Sequence, residues 1–289
     1  MSNISFSAAV ETPSGKDESY ENFPVGSWLI SGRLRPHITT FYGFARTIDD
    51  IAESSTIEAH EKICRLSGFE NAILGKDKTS LKFSKAHLMR QSLEETGVTN
   101  QHCIDLISAF KQDATKLRYD DWDELIDYCQ LSAAPVGRYL LDLHGETIEN
   151  YDASDALCNA LQVLNHLQDC KEDYLTLNRV YLPLDWMRDN GLEIESLNAP
   201  NCVPELKSVI FRMLDSTADL LGRADKLPRR LSNKRLAMET GAILNIAITL
   251  ERKLRKRDPL AESVKLPKSQ YVLGCLIGAF KSLLIDHSR

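Results

Sequence analysis

The chain has 289 residues, 43% of them hydrophobic and 26% charged, an ordinary globular composition able to bury a large core. With 35 Lys and Arg against 41 Asp and Glu the net charge is −6, so there is no basic field for nucleic acid. Seven scattered cysteines, never spaced CxxC, read as free thiols in a reducing compartment and exclude both a disulfide framework and a zinc site.

Residues 1–20 lack a basic start and a continuous apolar run, so they read as a tail without a signal peptide. Pro36 suits the first turn of a helix that runs through an acid cluster to about Ser54. Helical periodicity continues near 58–75, 79–96, 100–118, 122–144 and 153–175, then near 183–190, 205–226, 233–256 and 268–286. Gly75, Gly97, Gly145 and Asn190 read as helix stops, and Pro135 should kink the 122–144 helix. The basic run 251–258 reads as a solvated helix end. The most apolar late stretch, 271–285, is interrupted by Lys281 and is too short to span a membrane, leaving a core helix or a membrane-surface helix. No strand alternation and no linker appear. The expectation is a single all-α domain over 21–289 in a cytoplasmic protein.

Two helices carry unusual acids. At 100° per residue, Tyr42, Arg46, Asp49, Asp50 and Glu53 share one face. So do Gln162, Asn165, His166, Asp169, Glu172 and Asp173, about 120 residues later. One such cluster alone reads as a solvated face. Two of the same form, facing each other in a bundle, would repel unless divalent cations bridged them. Oxygen-only donors suit Mg²⁺, which keeps coordination positions for water and phosphate oxygens, and carboxylate–Mg²⁺–diphosphate chemistry is what that suggests.

These motifs resemble the squalene/phytoene synthase family, all-α isoprenoid synthases that join two prenyl diphosphates head to head. "YGFARTIDDIAE" looks like the family's first aspartate-rich motif, and "NHLQDCKEDY" followed by "RVYLP" looks like its second. "YCQLSAAPVG" at 128–137 resembles the segment between them, and the likeness runs from about Glu21 to "RDPLAESVKL". Details favour a branch that converts presqualene diphosphate and water into hydroxysqualene and diphosphate, without NADPH, in hopanoid biosynthesis. Three departures stand out. Glu21-Asn22-Phe23 replaces a hydroxyl-bearing segment of condensing members, Glu53 replaces the usual Asp, and Ser263 replaces a frequent Arg.

The resemblance implies an isoprenoid-synthase bundle with a central apolar cavity between the acidic helices. It makes Asp49, Glu53, Asp169, Glu172 and Asp173, with Asp50 alongside, ligands for Mg²⁺ and diphosphate. Arg46 either orders the acids or reaches diphosphate oxygens. Arg179 and Tyr181 either close over the leaving group or, for Arg179, cap the preceding helix. Asn165 bonds diphosphate or a metal-bound water, or else serves the core. His166 is a satisfied structural residue, or it (or Gln162) positions the water that traps a carbocation. Phe23 and Tyr42 line the cation's pocket or only pack. Ala133, Ala134, Val136 and Gly137 either wall a pocket for prenyl tails or allow close helix packing. No nucleic-acid partner follows. Presqualene diphosphate is the expected substrate, with transient membrane-surface contact and enzymes of the same pathway as neighbours. The enzymatic alternative is a condensing prenyltransferase; the non-enzymatic one is an assembly protein on the same fold.

Overall fold

Amphipathic periodicity becomes helix almost wherever the sequence carries it. The computed structural model describes residues 31–283, in which twelve α-helices and short 3₁₀ turns form no strand. Phe23, together with Glu21 and Asn22, lies outside the described residues. None of the helices described is long and apolar enough to cross a membrane. The chain divides into two units, one of residues 35–115 and one of 31–34 with 116–283.

The first unit comprises α1 (Arg35–Glu53), α2 (Ala59–Ile73), α3 (Ser84–Thr96) and α4 (Gln101–Asp113). α1 packs on α3 and α4, and α2 packs on the same two helices. Apolar spacing along α1 buries Ile38, Phe41, Phe44, Ile48 and Ile51, which leaves the acids on the flank. Phe44, Phe69 and Phe83 form a run of tilted and edge-on rings at 6.3 and 5.3 Å between centroids.

The second unit holds α5 (Trp122–Ser132), α6 (Ala134–Leu143), α7 (Tyr151–Leu177) and α8 (Leu184–Asp189). It continues with α9 (Pro204–Ala224), α10 (Leu227–Arg230), α11 (Lys234–Leu254) and α12 (Lys268–Leu283). α7, with 27 residues, is about 40 Å long and packs on α5, α6, α9 and α11. Asp121 caps α5 by accepting from the Glu124 N–H at 2.9 Å, and Asn233 caps α11 by accepting from Arg235 and Leu236.

Pro135 does more than kink. The expected 122–144 helix is broken at Ala133 (φ −118°), and Pro135 falls in the first turn of α6, where its missing N–H costs no helical bond. Gly75, Gly97 and Gly145 adopt the left-handed conformation expected of stops. At the fourth stop the left-handed residue is Gly191, not Asn190, whose φ is −98°. Asn190 instead donates its side-chain amide to the Trp186 carbonyl.

All seven cysteines are free. Burial pushes the Cys158 and Cys170 thiols up to about 12, which keeps them protonated.

Candidate active site

On α1 the acid cluster is not a solvated face. Side-chain exposure is 25% for Asp49, 9% for Asp50 and 29% for Glu53, with Arg46 at 17%. Arg46 lies among all three: Nη1 is 3.0 Å from Asp49, Nη2 2.7 Å from Asp50 and 3.8 Å from Glu53, and Nε donates to Asp50 at 2.9 Å. Burial opposes the Arg46 charge, but Asp49, Asp50 and Glu53 more than offset it and hold the guanidinium above its ordinary value.

At Asp49 burial and the neighbouring acids together outweigh Arg46. Burial, then Glu53, raise its carboxyl well above the usual range; Arg46 pulls it back, while Asp113 and Asp50 add to the rise. Asp113 ends α4 and is buried. No local signal marks it, because "KQDATK" has neither motif nor periodic partner and reaches the cluster only by packing of α4 on α1. Tyr42 is half-buried on α1, one turn before Arg46.

On α7, Gln162, Asn165, Asp169 and Asp173 are half-buried, His166 is buried and Glu172 is exposed. α7 ends at Asn178, a non-glycine residue in the left-handed conformation (φ 52°), and the Arg179 N–H returns to the Asp173 carbonyl at 3.1 Å. Arg179 thus caps α7 through its backbone. Arg118 secures the turn, donating to the Asn178 carbonyl and, at 2.7 Å, to its side-chain oxygen. Beyond it the chain turns back extended, with the Val180 N–H bonded to the Leu117 carbonyl at 3.0 Å.

That return lays Tyr181 on His166, ring centroids 3.5 Å apart and planes 11° from parallel. Tyr119 and Tyr128 stack on Tyr181 in turn, at 5.6 and 5.9 Å. The Arg179 side chain is buried. Burial first, and then the Arg179 charge, push the His166 imidazole down to about 3, so it is neutral at ordinary pH. Sequence reasoning offered His166, Arg179 and Tyr181 either as site residues or as structural ones, and the second unit brings the three near one another.

The small residues after α5 behave differently from one another. Ala133 and Ala134 are buried while Val136 is exposed. Gly137 lies against α7, where an added Cβ would be 2.3 Å from Ser154 Oγ and 2.7 Å from Cys158 Sγ. Close helix packing accounts for this glycine.

No three Asp, Glu, His or Cys side chains among the described residues are gathered as a metal centre. On α1 the Arg46 guanidinium lies between the acids; on α7 Glu172 faces solvent. The donor set still suits a hard cation. It is all oxygen, and at Asp49 burial first and then Glu53 oppose the carboxylate charge that a bound cation would favour.

The squalene/phytoene synthase family model matches residues 16–270. A hydroxysqualene synthase of Rhodopseudomonas palustris is 43% identical over 281 residues, covering 97% of this chain and 95% of its own. One from Sinorhizobium fredii is 42% identical, covering 88% and 86%. Among solved structures, a squalene synthase from Alicyclobacillus acidocaldarius is similar with a TM-score of 0.71 at 28% identity, covering 83% of this chain and 90% of that one. A dehydrosqualene synthase superposes with a TM-score of 0.72 at 18% identity over 88% and 89%, a likeness of fold.

Proposed function

The chain belongs to the squalene/phytoene synthase family, and from that premise we propose that it is a hydroxysqualene synthase. The reaction is conversion of presqualene diphosphate and water to hydroxysqualene and diphosphate, a diphosphate-releasing lyase step in hopanoid biosynthesis without NADPH. The carbon–oxygen bond to diphosphate breaks and its electron pair leaves with the phosphate. The cyclopropylcarbinyl cation rearranges, and water adds to the allylic-type cation that results.

Asp49, Glu53, Asp169, Glu172 and Asp173, with Asp50 alongside, are the oxygen donors for Mg²⁺. Mg²⁺, when bound, supplies neutralisation of the departing diphosphate charge. Arg46 and Arg179 offer guanidinium donors to phosphate oxygens, and Asn165 offers an amide. Tyr42 presents a π-face to the passing cation; Phe23, outside the described residues, is given that role by the resemblance alone. Tyr181 and its neighbouring tyrosines form an aromatic wall that limits stray water. The product is a long-chain lipid alcohol, which fits transient contact with a membrane surface and transfer to pathway enzymes.

The observation that carries this reading over a condensing or hydrocarbon-forming one is His166. It is a buried neutral imidazole, fixed face-on against Tyr181 within one turn of Asp169. A neutral ring tolerates a nearby carbocation and can still accept a hydrogen bond from water. Incubation of the purified protein with presqualene diphosphate and Mg²⁺, without NADPH, should yield hydroxysqualene on extraction. Farnesyl diphosphate alone should give little C30 product. Efficient release of presqualene diphosphate from farnesyl diphosphate would move the chain to the condensing relatives.

A further inference from the structure

Three side-chain atoms on α5 and α7 are buried with no hydrogen-bond partner among the described residues: Ser132 Oγ, Asn159 Oδ1 and His166 Nε2. The residues are 9%, 1% and 6% exposed. Leaving such groups without a partner is costly, and buried polar groups are normally matched by protein or ordered water.

Their placement is not random. Asn159 and His166 are seven residues apart on α7, so their directions differ by only about 20°, and Asp173, seven further on, is about 40° from Asn159. Asn159 and His166 therefore lie along the edge of the acid face that carries Asp173. Tyr128 of α5 is at His166, with ring centroids 6.2 Å apart, while Gly137 of α6 is at Ser154 and Cys158. As the chain advances from 128 to 137 its partner on α7 moves back from 166 towards 154. The α5–α6 segment thus runs antiparallel to α7, which puts Ser132 between the levels of Asn159 and His166.

We infer that Ser132, Asn159 and His166 hold a short file of ordered water between α5 and α7, and that this file supplies the water that captures the carbocation. The inference rests on the proposed function. Seven residues of helix separate Asn159 and His166 by about 10 Å between Cα atoms, a span that roughly two waters at hydrogen-bond spacing would bridge. A water donating to Asn159 Oδ1 or His166 Nε2 and accepting from Ser132 or its neighbour keeps one lone pair free. That pair forms the new carbon–oxygen bond, and the oxonium proton passes to the diphosphate released in the same turnover. Because His166 is clamped by Tyr181, its Nε2 direction is fixed. Its depressed basicity keeps it neutral, an acceptor that does not repel the cation.

The test uses the whole protein with presqualene diphosphate and Mg²⁺, reading the ratio of C30 alcohol to C30 olefin separately from substrate consumption. Asn159→Leu, Ser132→Ala and His166→Phe, the last retaining a ring to stack on Tyr181, should each lower that ratio about tenfold, the effect of one lost hydrogen bond at the branch point. A purely structural residue would slow consumption without changing the ratio. If the wild type makes hydroxysqualene and all three variants keep its product ratio, the inference is overturned and the function stands. Failure of the wild type to convert presqualene diphosphate overturns the function, and the inference with it. A high-resolution crystal structure of the wild type gives a readout free of activity. Water density within hydrogen-bond reach of Asn159 Oδ1 and His166 Nε2 is expected; a dry seam overturns the inference even if no variant folds.

Discussion

Replacing Arg46 with Gln removes the cation from a set of half-buried carboxylates while keeping one donor. Removing one partner of a fully buried pair costs about 3–5 kcal/mol, and an exposed pair is worth about 0–1 kcal/mol. Arg46 at 17% and Asp50 at 9% side-chain exposure lie nearer the buried limit. The Gln amide restores about 1 kcal/mol as a neutral hydrogen bond. The expected loss is therefore about 2–3 kcal/mol, or roughly 8–24 °C in Tm for a unit of under about 100 residues. Thermal unfolding followed by circular dichroism, at neutral pH, low salt and with chelator, measures it. Titrating Mg²⁺ into the same samples should recover more stability in Arg46→Gln than in the wild type, because a cation then replaces the missing charge; at a hundredfold excess over Kd the gain approaches about 2.7 kcal/mol. An unchanged Tm would refute the claim that Arg46 offsets part of the acids' charge. Equal Mg²⁺ effects on both proteins would refute the claim that a cation replaces the missing charge, and no effect on either would refute the claim that these acids attract one.

Turnover should vanish in excess EDTA and return with Mg²⁺; undiminished activity in chelator would end the metal assignment. Asp169→Asn should lose orders of magnitude in kcat at unchanged thermal stability, and a fully active variant would return α7 to the reading of a solvated face. Gly137→Ala should cost about 1–3 kcal/mol by overpacking, recovered in a Ser154→Ala, Cys158→Ala background; altered kinetics at unchanged stability would instead mark a pocket wall. The unfolded histidine takes up a proton near 6.5, whereas buried His166 resists until about 3. In that window the unfolded chain binds more protons, so stability falls as pH drops, by about 2 kcal/mol at pH 5 from this residue. Denaturant unfolding of His166→Phe should show that much less loss between pH 7 and 5, and parallel profiles would refute it.

Helix α1 was legible almost to the residue, from Pro36 to the end of the acid cluster, because an amphipathic period states which face is buried. The seven-residue interval from His166 to Asp173 was legible for the same reason. The break at Ala133 was half-read: Pro135 signals a disturbance, but kink and full restart use the same residue. Asp113, Ser132 and Asn159 were invisible. Nothing in their local sequence distinguishes them, and each matters only through a neighbour supplied by another helix. Asn178 was missed because a left-handed asparagine has no periodic signature, and Arg118, which holds it, lies 60 residues earlier.

The turn at Asn178 makes length itself a constraint. α7 carries Asp169 and Asp173 outward, and the extended return carries Arg179 and Tyr181 back past the same stretch. Successive residues of an extended chain face opposite sides. A single insertion or deletion between Asn178 and Tyr181 would therefore turn the tyrosine ring away from His166 while leaving every residue type intact. Substitutions in this hairpin are graded in effect, but a change of one in its residue count is all-or-none. Chimeras that graft another synthase's second acid motif onto this scaffold must match the spacing from Asp173 to Tyr181 before they match its composition.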